Sequence, residues 1–301
     1  INGNLLNRIT SGPYHSDNIK YYDLKSNFLF FTAHGVNKEI DPYYEHTYKV
    51  SLNGGIPKSL NMGDFNTMTY PSDSHKYFVN NFSRVNTTPK SNLINSDGSV
   101  LMNLETADLS ALFESGYKFP ETFKAKADDG ITDLYGVIYK PFDFDENKKY
   151  PLLEYVYPGP QTEAVNKDFS VRMDRLDRMA QLGFIVITLG NRGGHPDRSK
   201  WYHNYGYGNL RDYGLADKKY VAQQLANRHD FIDINRVGIY GHSGGGFMST
   251  AAILVYPDFF KVAYSQAGNH DNSIYNSWWS ETHHGVICLL YTSPSPRDNK
   301  A

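Results

Sequence analysis

Gly241-His242-Ser243-Gly244-Gly245 is the stretch of this sequence best equipped to do chemistry. A serine hydroxyl attacks an acyl carbon only when a base takes its proton and donors receive the negative charge that develops. The G-x-S-x-G spacing addresses the second need. Small residues around the serine permit a sharp strand-to-helix turn, which lifts the hydroxyl clear of the sheet and aims the next backbone N–H at the same point. The flanks fit this reading: Val237-Gly238-Ile239-Tyr240 has the apolar character of a buried strand, and residues 245–255 read as a helix. Its N-terminus adds partial positive charge where an oxyanion would form. Ser243 is therefore read as a nucleophile and the Gly244 N–H as an oxyanion donor. A glycine-rich bend without chemistry is the alternative, and the strand–turn–helix setting argues against it.

The base is harder to find. His242 adjoins the serine, but a neighbour on such a turn points away from it. On this kind of elbow the order is serine, then acid, then histidine, the last two well downstream. Asp258, His270, Asp271, His283 and His284 follow Ser243. They fall in the first crossover and strand after it, so they are read as structural or pocket residues, and the triad as incomplete. A metal hydrolase lacks support, because no H-x-x-x-H or H-E-x-x-H spacing occurs. A phosphate-cradling loop would need Lys-Ser/Thr after the glycines, which is missing. No metal or cofactor is expected.

The elements that must position Ser243 alternate strand and helix. Residues 123–127 and 131–139 make a hairpin across Asp128-Asp129-Gly130. Residues 151–157 and 184–189 are buried strands, while 169–182 and 215–226 read as helices. This grammar predicts a mostly parallel sheet in an α/β domain over 119–287. Residues 1–118 read differently, as all-β. Phe28-Leu29-Phe30-Phe31 and Thr47-Tyr48-Lys49-Val50-Ser51-Leu52 are strands, and Asn53-Gly54-Gly55 is a tight turn. Residues 77–79, 90–95 and 100–104 repeat the plan around Ser96-Asp97-Gly98-Ser99. The turns at Asn53 and Asp97 lie about 44 residues apart, the length of a four-stranded propeller blade. Two such units bury too little alone, so earlier blades are expected upstream; a simple β-sandwich is the alternative. The alternation fades over 106–120, where the boundary is placed. The expected architecture is thus the C-terminal part of a β-propeller followed by an α/β-hydrolase domain truncated after the nucleophile elbow.

Composition narrows the field. Of 301 residues, 40% are hydrophobic and 21% charged, as in ordinary globular proteins. A net charge of −2 provides no basic surface for nucleic acid. No apolar run approaches the ~18 residues that span a bilayer. The single cysteine, Cys288, excludes an intrachain disulfide. The segment from Cys288 through Tyr291-Thr292-Ser293-Pro294-Ser295-Pro296-Arg297-Asp298 resembles a translated sequencing adapter, so 288–301 is expected to be a non-native tail. The chain opens on Ile1 with no initiator Met or signal-peptide pattern, as expected of a piece of a longer chain.

Four stretches together carry a family likeness: Tyr150-Pro151-Leu152-Leu153-Glu154-Tyr155-Val156-Tyr157-Pro158-Gly159-Pro160-Gln161, the loop Asn191-Arg192-Gly193-Gly194, the elbow, and residues 269–285. In this order they resemble the prolyl oligopeptidase family of serine peptidases, on its dipeptidyl peptidase IV-like branch. The resemblance implies that the Tyr157 hydroxyl joins the Gly244 N–H in the oxyanion hole. Tyr275 and Trp279 match the aromatic walls of the primary specificity pocket. Four apart, they would share one face of a helix, and flat apolar walls suit a proline ring. Ordinary packing of an aromatic-rich protein is the alternative for all three.

The likeness implies a peptide substrate with proline or a small residue at the determining position, dipeptide release, and a homodimeric full-length form. With the scarcity of cysteine it leans toward a periplasmic or secreted enzyme. Three departures stand out. Gly190-Asn191 occupies the place of the family's Asp-Gly, Gly244 that of a tyrosine, and Trp279 that of another tyrosine. The acidic pair that captures a substrate's amino terminus is expected upstream of Ile1. Two other readings keep the same elbow: an acylaminoacyl-peptidase or esterase, and a catalytically dead propeller-based binding protein. Lacking acid and base, the 301-residue chain itself is expected to be inactive.

Overall fold

The computed structural model describes residues 3–61, 63–170, 175–208, 213–272 and 274–285. The expected tail 288–301, with Cys288, lies outside the described residues. The chain divides into two compact units, Ile1–Thr122 with Asn166–Asp174 and Asp197–Ser199, and Phe123–Val165 with Arg175–Pro196 and Lys200–Ala301.

The first unit holds two four-stranded antiparallel meanders. One runs β1 (His15–Asp23), β2 (Phe28–His34), β3 (Glu45–Ser51), β4 (Lys58–Ser59). The second runs β5 (Asn66–Pro71), β6 (Tyr77–Ser83), β7 (Lys90–Asn95), β8 (Val100–Thr106). Alternating apolar residues supply the packing: Phe31, Tyr48 and Val50 cluster on the first sheet, while Phe30 meets Leu60, Phe78 and Ile94. The two predicted turns occupy equivalent places, each between the third and fourth strand. Gly54 and Gly98 adopt φ of +90° and +84° there, a region that L side chains rarely enter. These sheets have the form of successive propeller blades. The short helix α1 (Ser110–Glu114) follows, in the stretch where alternation fades.

The second unit is a six-stranded sheet with helices. Its strands are β9 (Glu121–Lys126), β10 (Asp133–Tyr139), β11 (Tyr150–Tyr155), β12 (Ile185–Leu189), β13 (Ile232–His242) and β14 (Phe260–Gln266), in the order β14-β13-β11-β12-β10-β9. Strands β12, β11, β13 and β14 are mutually parallel, and β10 pairs antiparallel with β12. Buried Leu152, Ile185, Ile187, Val237 and Ile239 fill the sheet's core, as the runs without alternation require. Among the helices, α2 (Arg175–Ala180) precedes β12, and α3 (Lys200–His203) and α4 (Leu215–Arg228) lead to β13. Helix α5 (Gly244–Val255) joins β13 to β14, and α6 (Ser277–His284) follows β14.

The helix predicted over 169–182 is shorter. Phe169 belongs to the first unit, where its ring meets Tyr117 at 6.3 Å and Phe119 at 5.9 Å. Residues 171–174, between that ring and α2, lie outside the described residues. The strand order also fixes where chemistry belongs. From β11 the chain first adds β12 on one side, then returns to place β13 on the other. Open α/β sheets bind ligands outside the strand C-termini at such a reversal. Here those ends lead into Tyr157 and Ser243.

Candidate active site

Ser243 sits between the last residue of β13 and the first of α5, with φ +57° and ψ −120°. A non-glycine residue held at positive φ stores backbone strain, which persists only where surroundings enforce it. They do so here through hydrogen bonds on both sides. The Ser243 N–H donates to the Gln266 carbonyl at 2.8 Å, and the Ser243 carbonyl accepts from the Phe247 N–H at 3.0 Å. The glycines let the backbone close. A β-carbon on Gly241 would stand 2.7 Å from the Gly245 Cα, and one on Gly246 2.5 Å from the Gln266 oxygen. Gly244 alone in the motif opens onto free space, with nothing within 4 Å of where a β-carbon would stand.

The two backbone N–H groups at the elbow differ in what engages them. The Ser243 N–H is engaged by Gln266, whereas the first N–H groups of a helix have no partner within it. Gly244 is the first residue of α5, so its N–H belongs to that unpaired set, at the positive end of the helix dipole and beside the serine in sequence.

Ser243 and Gly244 line a cavity of about 160 Å³ with Tyr157, Phe247, Asn269, Tyr275 and Trp279. All five site residues read from the sequence therefore meet at one place. The aromatic pair arrives differently from expectation, however. Helix α6 begins at Ser277, so Tyr275 precedes it, and the rings meet edge to face at 5.5 Å across the turn at Asn276. Phe247, Gln161 and Asn269 also line the cavity, though sequence reasoning gave them no role. Phe247 was legible as the fourth residue of the helix that the elbow starts. Asn269 donates to Asn272 at 2.8 Å, which shapes the loop carrying Tyr275.

Buried polar groups hold the walls. The Tyr213 hydroxyl donates to the Pro158 carbonyl at 2.6 Å, fixing the loop just after Tyr157. Burial pushes that phenol well above the usual tyrosine range, so it stays a donor. Glu163 accepts from the Tyr202 hydroxyl at 2.8 Å and the His195 N–H at 3.1 Å. In the loop that follows Gly190, Arg192 carries the anchoring. Its Nη2 reaches Asp217 Oδ1 at 2.7 Å, its Nε reaches Oδ2 at 3.1 Å, and its Nη1 reaches Asp129 at 3.2 Å. Such a planar fork is what a buried carboxylate needs.

The other candidates fall elsewhere. His242 lines a separate, larger cavity with Gly241, Tyr264 and Gln266, while Ser243 lines the smaller one. His270 Nε2 lies 3.4 Å from the Ser265 hydroxyl. His283 meets the Trp279 ring tilted at 4.9 Å and His284 meets it edge to face at 5.9 Å, and burial lowers the proton affinity of both. Among the described residues, no imidazole or carboxylate is hydrogen-bonded to the Ser243 hydroxyl. The lining offers hydroxyl, amide and aromatic groups, a set that binds organic ligands and not metal ions.

The sheet order, its reversal at β11 and the strained serine after β13 define an α/β-hydrolase. Sequence-family comparison matches residues 169–289 to the prolyl oligopeptidase family and residues 1–89 to the dipeptidyl peptidase IV N-terminal region. Human dipeptidyl peptidase 8 is 40% identical over 152 residues, covering 50% of this chain and 17% of its own. An Aspergillus clavatus protein named as a probable dipeptidyl-aminopeptidase B is 30% identical over 285 residues, 91% of this chain and 30% of its own. A crystal structure assigned as a dipeptidyl aminopeptidase IV from Bacteroides ovatus superposes with a TM-score of 0.79 at 28% identity, covering 92% of this chain and 38% of that one. The chain belongs to the prolyl oligopeptidase family, on its dipeptidyl peptidase IV-like branch, and joins that branch's propeller region to its hydrolase domain. It spans less than a third of the length of these curated relatives. No described helix is long and apolar enough to cross a membrane.

Proposed function

We propose that this chain carries the nucleophile of a serine peptidase that releases dipeptides from peptide substrates. The observation that carries the proposal is the strained Ser243, whose own N–H is held by Gln266 while Gly244, the first residue of α5, lines the same cavity. In the proposed reaction the Ser243 oxygen attacks the scissile carbonyl, and Tyr157 and the Gly244 N–H receive the oxyanion. The amine leaves with a proton, and water then releases the acyl group. Tyr275 and Trp279 offer flat apolar faces to a proline or small side chain. The base and acid are proposed to lie outside the described residues, since none of the described histidines reaches Ser243. The polypeptide of 301 residues then hydrolyses peptides slowly or not at all.

A fluorophosphonate probe tests the assignment. It should label Ser243 in the catalytically complete enzyme, and Ser243→Ala should abolish labelling. Undiminished labelling of the alanine variant would remove the serine from the mechanism. Comparing a Gly-Pro anilide with a simple acyl ester separates the peptidase from an esterase on the same scaffold.

A further inference from the structure

The first unit gathers metal-ligating groups that the peptidase chemistry does not use. Along one edge of the first meander, His15 on β1 is paired with His34 on β2, and His34 with Glu45 on β3. Directly paired residues project to the same face of a sheet, so the three side chains form a row across the strands. Asp17 lies on the same end of β1. The ligating atoms of Asp17, His34 and Glu45 all lie within 4.8 Å of one another. Asp197, part of the same unit, brings Oδ2 to 3.5 Å from His34 Nε2.

We propose that Asp17, His34 and Glu45 form a binding site for one divalent transition-metal ion of the zinc class, with Asp197 as a fourth donor. Three features support a built site over a chance meeting of charges.

The first is the orientation of the imidazole. His34 is buried, and its Nδ1 lies 3.1 Å from the Tyr43 carbonyl, which can only accept. Nδ1 therefore carries a proton, which makes Nε2 the ring nitrogen that faces the carboxylates and is placed to ligate a metal. Metal-bound histidines are held in this way by a backbone acceptor on the far nitrogen.

The second is that the carboxylates are held too. Asp17 Oδ2 accepts from Asn18 Nδ2 at 2.6 Å and from the Thr32 hydroxyl at 3.4 Å. The Glu45 backbone is pinned by Asn66 Oδ1 on its N–H at 2.9 Å and by the Thr67 hydroxyl on its carbonyl at 2.6 Å. Asp197 Oδ1 is engaged by His15 Nδ1 at 2.9 Å, and its Oδ2 lies 3.5 Å from His34 Nε2.

The third is charge and spacing. Three carboxylates surround one imidazole nitrogen, and among the described residues neither Asp17 nor Glu45 forms a salt bridge with lysine or arginine, Lys20 acting on Glu45 only at longer range. A divalent cation neutralises that repulsion. Donors bound at ~2.0–2.1 Å in a tetrahedron stand roughly 3.4 Å apart, close to the 3.5 Å between His34 and Asp197. Asp17 and Glu45 need to close by at most about 1.4 Å, within reach of side-chain rotation. One imidazole with carboxylates takes zinc ahead of manganese and rejects ions that demand thiolate. Because the ligands come from neighbouring strands, no short sequence motif announces them.

The test is titration of the EDTA-stripped 301-residue chain with ZnCl2 by calorimetry, with MgCl2 as the hard-cation control. One zinc ion per chain should bind at micromolar or tighter Kd with no matching magnesium response. H34Q and E45Q should each weaken it at least tenfold, and H283Q should not. CoCl2 should give a visible absorption band that H34Q removes or shifts. If H34Q does not fold, D17N replaces it, because Asp17 is exposed. No saturable zinc uptake, or uptake unchanged in the folded variants, would overturn the proposal and leave His15, His34 and Asp197 as a hydrogen-bonded cluster. Fluorophosphonate labelling of Ser243 is a separate readout, so either reading can fail without the other.

Discussion

The Gln266 carbonyl at the end of β14 accepts the Ser243 N–H at 2.8 Å, and that same oxygen is what a β-carbon on Gly246 would strike at 2.5 Å. The strained serine, the strand beyond it and the glycine that follows the motif are thus one mechanical unit. Displacing the carbonyl frees the wrong N–H and relaxes the elbow.

Gly246→Ala should therefore destabilise the fold by about 2 kcal/mol and slow labelling of Ser243. Gly244→Ala should change stability by less than about 0.5 kcal/mol, because the space beside it is open. Denaturant unfolding and labelling rates of the two variants decide this. Equal effects would show that packing against Gln266 does not set the elbow.

Tyr157 lines the serine's cavity, and its loop is clamped by Tyr213 on the neighbouring carbonyl. If its hydroxyl donates to the oxyanion, Tyr157→Phe should cut turnover by ~10²–10³ with little change in KM. If the ring is only a wall, phenylalanine preserves the rate. Steady-state kinetics on the catalytically complete enzyme distinguish the two.

The elbow was legible because all of its information is local. Strand, glycines, serine and helix lie within about twenty residues, and steric need dictates each residue type. The propeller turns were legible for the same reason, through Gly54 and Gly98. What holds the site in place was not. Arg192 meets Asp217, and Glu163 meets Tyr202 and His195, only because separate loops converge, and no periodicity records such a meeting. Tyr275 lines the cavity of Ser243, as the family likeness led one to expect, but not from a helix. Spacing by four fits a helical face, whereas the ring lies before the helix starts. Strand β1 escaped notice because most of it is exposed, leaving no alternation to read.

Arg192 and Asp217 form a paired fork in which Asp217 is fully buried. Removing one partner leaves an uncompensated buried charge, so Arg192→Met should cost roughly 3–5 kcal/mol. Arg192→Lys should recover only part of this, since an ammonium cannot bridge both oxygens in a plane. Adding Asp217→Leu to Arg192→Met should restore stability relative to the single variant. Urea unfolding of the three variants measures the coupling, and simple additivity would contradict it.

Glu154 on β11 and Lys218 on α4 are fully buried, and both Glu154 oxygens lack a hydrogen-bond partner among the described residues. Burial pushes the Glu154 carboxyl up to about 8, opposed by the Lys218 charge, and lowers the proton affinity of Lys218. A single proton shared by the pair leaves the same count as in the unfolded chain, where the lysine holds it. The wild-type pair should thus contribute little pH dependence near neutrality. Lys218→Met removes that compensation. Glu154 then stays protonated in the fold while it ionises in the unfolded chain above its ordinary value. A raised folded pKa gives stability that is complete below the unfolded value and is lost as pH rises toward the folded one. With the lowering influence of Lys218 gone, the folded carboxyl titrates higher than in the wild type, so the stability of Lys218→Met should fall from about pH 5 through pH 8 and above, by up to ~1.4 kcal/mol per pH unit. Glu154→Leu with Lys218→Met should abolish the slope. Unfolding free energies at pH 5, 6.5 and 8 provide the measurement, and a slope of opposite sign would mean that Glu154 is ionised in the fold.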